Sequence, residues 1–409
     1  MFSNRVFAIP LAASLALIGC GPSSPQGDGG ADGGSTLFGR YAVTSDVAST
    51  TALVREIGEL RALAEMHSFP AIDARLQPTS DVGVLLTRMD RRFNGADGAA
   101  GAAGLERRLR DGIAAGRATM DALVSSVAEE ATDKSLLVTL ALAMIDEIQQ
   151  ATADVRAANW ASAASHWDRA AVWFTGLEPK FRSRSTTSIP NVWGPGTSAL
   201  SNENLADRTI ALLVDGRGAL TAQSRGAAIE IAERTRWYLS KYFFLASVAY
   251  GNIVETAAAG TNTDVARMEG GTFFEGVTLP IIDGSAATTA VTSSRARWNG
   301  GTMPGAVTRL SVVRDAAQLH VDALGGPVSA YAGTSIDDET RAVLRARLDT
   351  TLAIFADPLT LAGRDPVALR ARIASAAAQS QAGDHAGAAA ALVDVLDGLR
   401  AVATVGAMR

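Results

Sequence analysis

Apolar residues return at steps of three and four along most of the chain. Val47, Leu53, Val54, Ile57, Leu60 and Ala64 trace one face, and Leu105, Leu109, Ile113, Met120, Leu123 and Val127 trace a second. Leu137, Leu140, Met144, Ile148, Ala151 and Val155 mark a third. Such a repeat places the side chains on one stripe of an α-helix, and burying that stripe against a neighbour stabilises it. The run WYLSKYFFLASVAYGNIVE, residues 237–255, is apolar on nearly all sides and predicts a helix in the middle of a bundle. Asp365-Pro366 reads as an N-cap followed by proline at the first helical position, so the last two helices are expected at 366–380 and 386–405. Ser335-x-x-Asp338 has the form of an N-terminal box with Asp in place of Glu. Three stretches break the pattern: a Gly/Ala-rich linker at 94–104 and long loops at 182–203 and 283–305. No alternation of period two stands out. The expected class is therefore all-α, a multi-helix bundle with long loops.

Composition sharpens this reading. Hydrophobic residues make up 47% of the 409 residues, enough for a large core, and the abundance of alanine favours helix over sheet. The formal net charge is −5 and basic residues are scattered, with no basic patch interleaved with aromatics, so no nucleic-acid partner is expected. Hydrolase and nucleotide signatures are missing as well. There is no G-x-S-x-G, and GRGALTAQSRG lacks the Lys-Ser/Thr end of a phosphate loop. The chain is read as a binding protein rather than an enzyme.

The N-terminal segment carries its own message. Arg5 precedes an apolar core at residues 6–19, followed by Leu17-Ile18-Gly19-Cys20 and then the small-residue tail GPSSPQGDGGADGGST. The segment is too short for a comfortable membrane span and has the form of a secretory signal. Leu17 to Cys20 resembles the bacterial lipobox. That resemblance implies a signal peptide at 1–19, cleavage before Cys20, and acylation of the Cys20 thiol and the new amino terminus. Residues 20–37 then form a disordered tether, because they cannot bury enough apolar area to offset chain entropy. The implied partner is a lipid bilayer, reached through acylated Cys20, and residues 38–409 form the helical body. The implied location is the bacterial cell envelope, with Gly21 leaning toward the outer membrane, facing periplasm or exterior. Cys20 is the single cysteine, so its acylation leaves no thiol for disulfides, thiolate metal sites or a cysteine nucleophile.

An internal echo points to two related units, about 134–200 and 237–305. HWDRAAVWFTGLEP at 166–179 aligns with RMEGGTFFEGVTLP at 267–280, pairing Asp168 with Glu269, Trp173 with Phe274 and Pro179 with Pro280. Each copy reads as a long helix, a short acid-bearing helix, a proline stop and a loop. The same pieces, with SNENLADRTIALL at 201–213, resemble the low iron-inducible periplasmic protein family of iron-assimilation proteins. The resemblance implies an extracytoplasmic helical protein linked to iron acquisition. Gly271 departs from it, standing where an apolar or aromatic residue is usual.

Candidate chemistry follows from the echo. Asp168 and Glu269 are the leading candidate metal ligands, as equivalent acids facing one cleft, since carboxylate oxygens suit a hard cation such as ferric iron. The alternative is that both are surface acids that favour a helix start through its dipole. His166 and Glu147 are further candidates. His166 lies two residues before Asp168, which turns the side chains roughly 200° apart on a helix, so one ion does not easily take both. The expected function is a membrane-tethered extracytoplasmic binding lipoprotein linked to iron or other metal-ion acquisition. A non-catalytic helical scaffold or interaction lipoprotein without a metal site stands as the alternative. Oligomeric state is left open.

Overall fold

A computed structural model describes residues 36–94, 104–187, 204–258, 263–282, 294, 297–298, 307–333 and 336–404. Cys20, the signal segment and most of the linker and the two long loops lie outside these residues. The described chain is all-α apart from one small hairpin. β1 (Thr36–Leu37) pairs antiparallel with β2 (Tyr41–Ala42), with Leu37 opposite Tyr41. Thr36 and Leu37, the last two residues of the segment expected to be tether, are thus part of this hairpin.

Helices α1 (Ala48–Glu65), α2 (Phe69–Arg75), α3 (Asp81–Asn94) and α4 (Leu105–Ala118) follow. Two long helices then form the centre. α5 (Ala122–Arg156) leads into α6 (Trp160–Thr187), and α7 (Leu205–Thr221) leads into α8 (Arg225–Thr256). α9 (Asp264–Phe273) passes into a π-helical turn at Phe274–Thr278 and the short α10 (Leu279–Ile282). The C-terminal part comprises α11 (Arg309–Ala330), α12 (Asp338–Ile354), α13 (Ala356–Leu361), α14 (Pro366–Gln381) and α15 (His385–Thr404).

α5 and α8 pack on each other. α5 also carries α1, α4, α6 and α9, while α8 carries α7, α9, α11 and α12. Encirclement explains why α5 lacks one apolar stripe: residues 131–148 are buried on every side. α5 is long and apolar enough to cross a membrane by length and composition, yet 72% of its apolar window is buried within the body. α8 is central too: its Trp237, Tyr242, Phe243 and Phe244 are buried, as expected of a helix in the middle of the bundle. Phe181 of α6 stacks on Tyr242 with ring centroids 4.5 Å apart, and Phe243 meets Phe273 of α9 edge-on at 5.3 Å.

Several local expectations change. The stripe from Leu105 to Val127 belongs to two helices, because the chain breaks at 119–121 and Asp121 caps α5 by accepting from the N–H groups of Leu123 and Val124. Met120 is consequently fully exposed. Pro179 does not stop α6, which runs on to Thr187. Asp365 caps α14 as expected, accepting from Val367 N–H with Pro366 at the first position. The cap of α12 is Asp337, which accepts from Thr340 N–H, and Asp338 is the first helical residue rather than the third as the expected box required; Ser335, the cap of that box, lies outside the described residues.

Candidate functional site

Each acid singled out in the sequence has a definite place. Asp168, on α6, has 0% exposure, and its partners come from the N-terminal hairpin. Tyr41 Oη donates to Oδ1 at 2.8 Å; the backbone N–H groups of Thr44 and Ser45 donate to Oδ2 at 3.0 and 2.9 Å. Arg217 Nε of α7 lies 3.6 Å from Oδ1. Burial, then the neighbouring carboxylate, push the Tyr41 hydroxyl far above its usual range, so it stays a donor. Asp168 therefore pins the entering chain to α6 and α7, and the lone pairs a cation would need are in use.

Glu269 sits elsewhere, on α9 against α5. Tyr250 Oη donates to its Oε1 at 2.7 Å, and Lys134 Nζ lies 3.2 Å from the same oxygen. Lys134 also meets Glu130 at 2.5 Å and Asp133 at 2.8 Å, and Arg61 Nε donates to the other Asp133 oxygen at 2.6 Å. Burial, joined by the Glu130 carboxylate and opposed by Lys134, pushes the Glu269 carboxyl up to about 7. Burial works against the Lys134 ammonium, but Asp133, Tyr250, Glu269 and Glu130 together hold its pKa well above the usual value. Asp168 and Glu269 share none of these partners. The described contacts place them in two separate networks rather than across one cleft.

His166 and Glu147 are brought together. His166 Nδ1 lies 2.6 Å from Glu147 Oε2, and Arg169 Nε donates to the same oxygen at 3.0 Å. Asp154 approaches the far ring nitrogen at 3.6 Å. Burial raises the Glu147 carboxyl, but the hydrogen bonds from His166 and Arg169 outweigh it and hold the pKa below the usual value. The guanidinium stands where a metal ion would otherwise balance this carboxylate. His166 and Asp168 do diverge, the first toward α5 and the second toward the hairpin. Among the described residues, no group of three or more His, Cys, Asp or Glu side chains converges with metal-binding geometry.

A cavity lies beside the π-helical turn. It holds about 230 Å³ and is lined by Arg108, Asp264, Arg267, Met268, Thr272 and Glu275, with Gly271 and Trp298 closing it. A π turn inserts into an α-helix chiefly where function or packing re-aims side chains. Here Gly276 of the turn lies so close to α5 that a Cβ would stand 2.8 Å from Val138 Cγ1. The unusual residue Gly271 also has a reason: its face meets Trp298, and an added Cβ would lie 3.1 Å from Trp298 Cβ.

Glu275 is buried, and Arg108 of α4 donates to its Oε2 at 2.9 Å. Its Oε1 is buried with no hydrogen-bond partner among the described residues. Asp146 Oδ1 shares that lack, but an Arg92 guanidinium lies against it. A buried carboxylate oxygen without a donor is costly, so among the described residues Glu275 Oε1 is an atom that calls for a partner. Arg267 is tied to the Arg297 carbonyl at 3.2 Å and to Thr263 Oγ1 at 3.1 Å, which steadies its guanidinium at the cavity wall. Arg108, Arg267 and Glu275 were not legible as a site in the sequence. The only local signal was the Gly270-Gly271 pair ahead of Phe273-Phe274.

No family model matches this chain, and neither a curated protein nor a solved structure matches it.

Proposed function

We propose that the protein is a membrane-tethered, extracytoplasmic binding lipoprotein, held by acylated Cys20, and that its cargo is iron carried as a small anionic chelate in the cavity beside the π-helical turn. One observation carries the ligand class: the orphaned Glu275 Oε1 in a cavity whose two carboxylates, Glu275 and Asp264, are matched by two guanidiniums, Arg108 and Arg267. A bare trivalent cation would add three charges to this balanced lining, more than a small chelate of low net charge adds. A chelate brings its own carboxylates, which suit bidentate pairing with guanidinium, while carboxylate oxygens from the wall suit the hard metal. Asp168 takes no part in this reading, and Glu269 lies on α9 one side away, in its own ion-pair network.

The scaffold reading draws on a different observation. Asp168, Glu147 and Glu269 all spend their charge on internal partners, as acids of a purely structural body would.

Equilibrium dialysis of the full-length protein in mild detergent against ferric citrate separates the two. Wild type retains iron stoichiometrically, whereas Glu275→Gln and the exposed-rim variant Asp264→Asn lose or weaken retention. Equal retention by all three removes the site, and no retention by wild type leaves the scaffold.

A further inference from the structure

Four helices, α8 among them, converge on a second cavity of about 210 Å³. α7 contributes Arg208, α8 contributes Arg234 and Tyr238, α12 contributes Asp349 and Thr350, and α14 contributes Arg370. Three guanidiniums thus face one carboxylate. We propose that this cavity is a binding site for inorganic phosphate or the phosphate of a small monoester.

The arrangement is built rather than incidental. Asp349 is buried and stands between two of the arginines. Arg234 donates to its Oδ2, and Arg370 Nε donates to its Oδ1 at 2.6 Å. The carboxylate thereby fixes two guanidiniums from different helices in one place. Glu230, one turn earlier on α8, accepts from Arg234 Nε and Nη2 at 3.2 and 2.9 Å and locks that side chain further. Each guanidinium has five N–H donors, and Arg370 gives one of them to Asp349. With Asp349 and Glu230 both counted, the three guanidiniums leave one formal positive charge in excess.

Guanidiniums held apart on a rigid frame match a tetrahedral oxyanion with several acceptor oxygens, and such pairs are stronger than neutral hydrogen bonds. Preorganisation matters here, because the ligand then meets side chains whose freedom is already spent. The Thr350 hydroxyl donates to the Ala346 carbonyl at 2.8 Å, so its proton is already engaged and the arginines are the donors for an oxyanion. Size narrows the class. At about 210 Å³ the cavity is smaller than the roughly 300–1,000 Å³ of drug-sized pockets, which favours phosphate over a nucleotide. This site shares no residue with the cavity at Glu275, so either stands without the other.

Calorimetric titration of the full-length protein with inorganic phosphate, in chloride buffer at matched ionic strength, tests the proposal. Wild type binds saturably. Arg370→Gln and Arg208→Gln each weaken binding by at least about tenfold, the effect of losing one charge-assisted contact. Arg372→Gln, two residues along α14 and paired with Asp394 at 3.6 Å instead, binds as wild type does. Arg208→Gln leaves both Asp349 pairs intact, so its loss of binding is readable even if Arg370→Gln loosens the fold. Absence of saturable binding in wild type overturns the proposal, as does equal weakening by Arg372→Gln.

Discussion

At the scale of single residues, buried charge is the feature that organises the body. Asp168 is fully buried and joined to the hairpin through residues more than a hundred positions away in sequence, so it acts as a long-range pin. Asp168→Asn keeps the shape but sets an amide against three donors and leaves Arg217 uncompensated. Breaking a buried pair of this kind costs roughly 3–5 kcal/mol. The urea midpoint of Asp168→Asn is therefore expected to fall sharply while iron retention by the folded fraction is unchanged; an unaltered midpoint would show that the pin is dispensable.

The buried titratable groups predict how stability varies with pH. The Glu269 carboxyl rises from its ordinary 4.5 to about 7, so the native state holds more protons than the unfolded state between those values. Its contribution is present in full below about 4.5 and is lost as pH rises through 7. His320, buried against Trp237 and Phe355, falls from 6.5 to about 4 through burial, with the Ala316 carbonyl opposing. Its contribution is present above 6.5 and is lost as pH falls through 4. The two oppose each other in mild acid, and above 6.5 the Glu269 slope stands without His320. Urea midpoints of wild type should decline from pH 6.5 toward 7.5, by on the order of 1 kcal/mol per unit at most. Glu269→Gln should flatten that decline, and parallel curves for the two proteins would contradict the assignment.

At the scale of elements, the class and the Asp365 cap of α14 were legible because they depend on local patterns. Periodicity located α1, α4 and α5, and the Asp365-Pro366 pair located the start of α14. What escaped was set by distant partners. Pro179 reads as a stop because an interior proline costs about 3 kcal/mol. Yet Phe181 beyond it is completely buried between Phe174, Tyr242 and Phe243, and that packing carries α6 onward. The π-helical turn was illegible for the same reason: it is accommodated by the contact of Gly276 with Val138, on a helix far away in sequence. Glu275 carried no local signal, because its partner Arg108 lies on α4, 167 positions away in sequence. Gly270 offers a direct test. A Cβ there would come 2.3 Å from the Trp298 ring, so Gly270→Ala should cost about 1–3 kcal/mol by overpacking. Thermal melting reads the effect, and a neutral substitution would mean that Trp298 does not close this wall.

At the scale of the whole molecule, two encircled helices, α5 and α8, create one frame, and two separate cavities with charged linings are built among the helices packed on it. The lipobox resemblance supplies the proposed address, and the cavity at Glu275 supplies the proposed cargo. The most direct measurement joins the two: radioactive iron is followed through membrane and soluble fractions of cells producing wild type, Cys20→Ser or Glu275→Gln. The account predicts that iron travels with wild-type protein in the membrane fraction, moves with Cys20→Ser into the soluble fraction, and leaves Glu275→Gln behind in the membrane without it. Iron that ignores Glu275, or a Cys20→Ser protein that stays with the membrane, would contradict it.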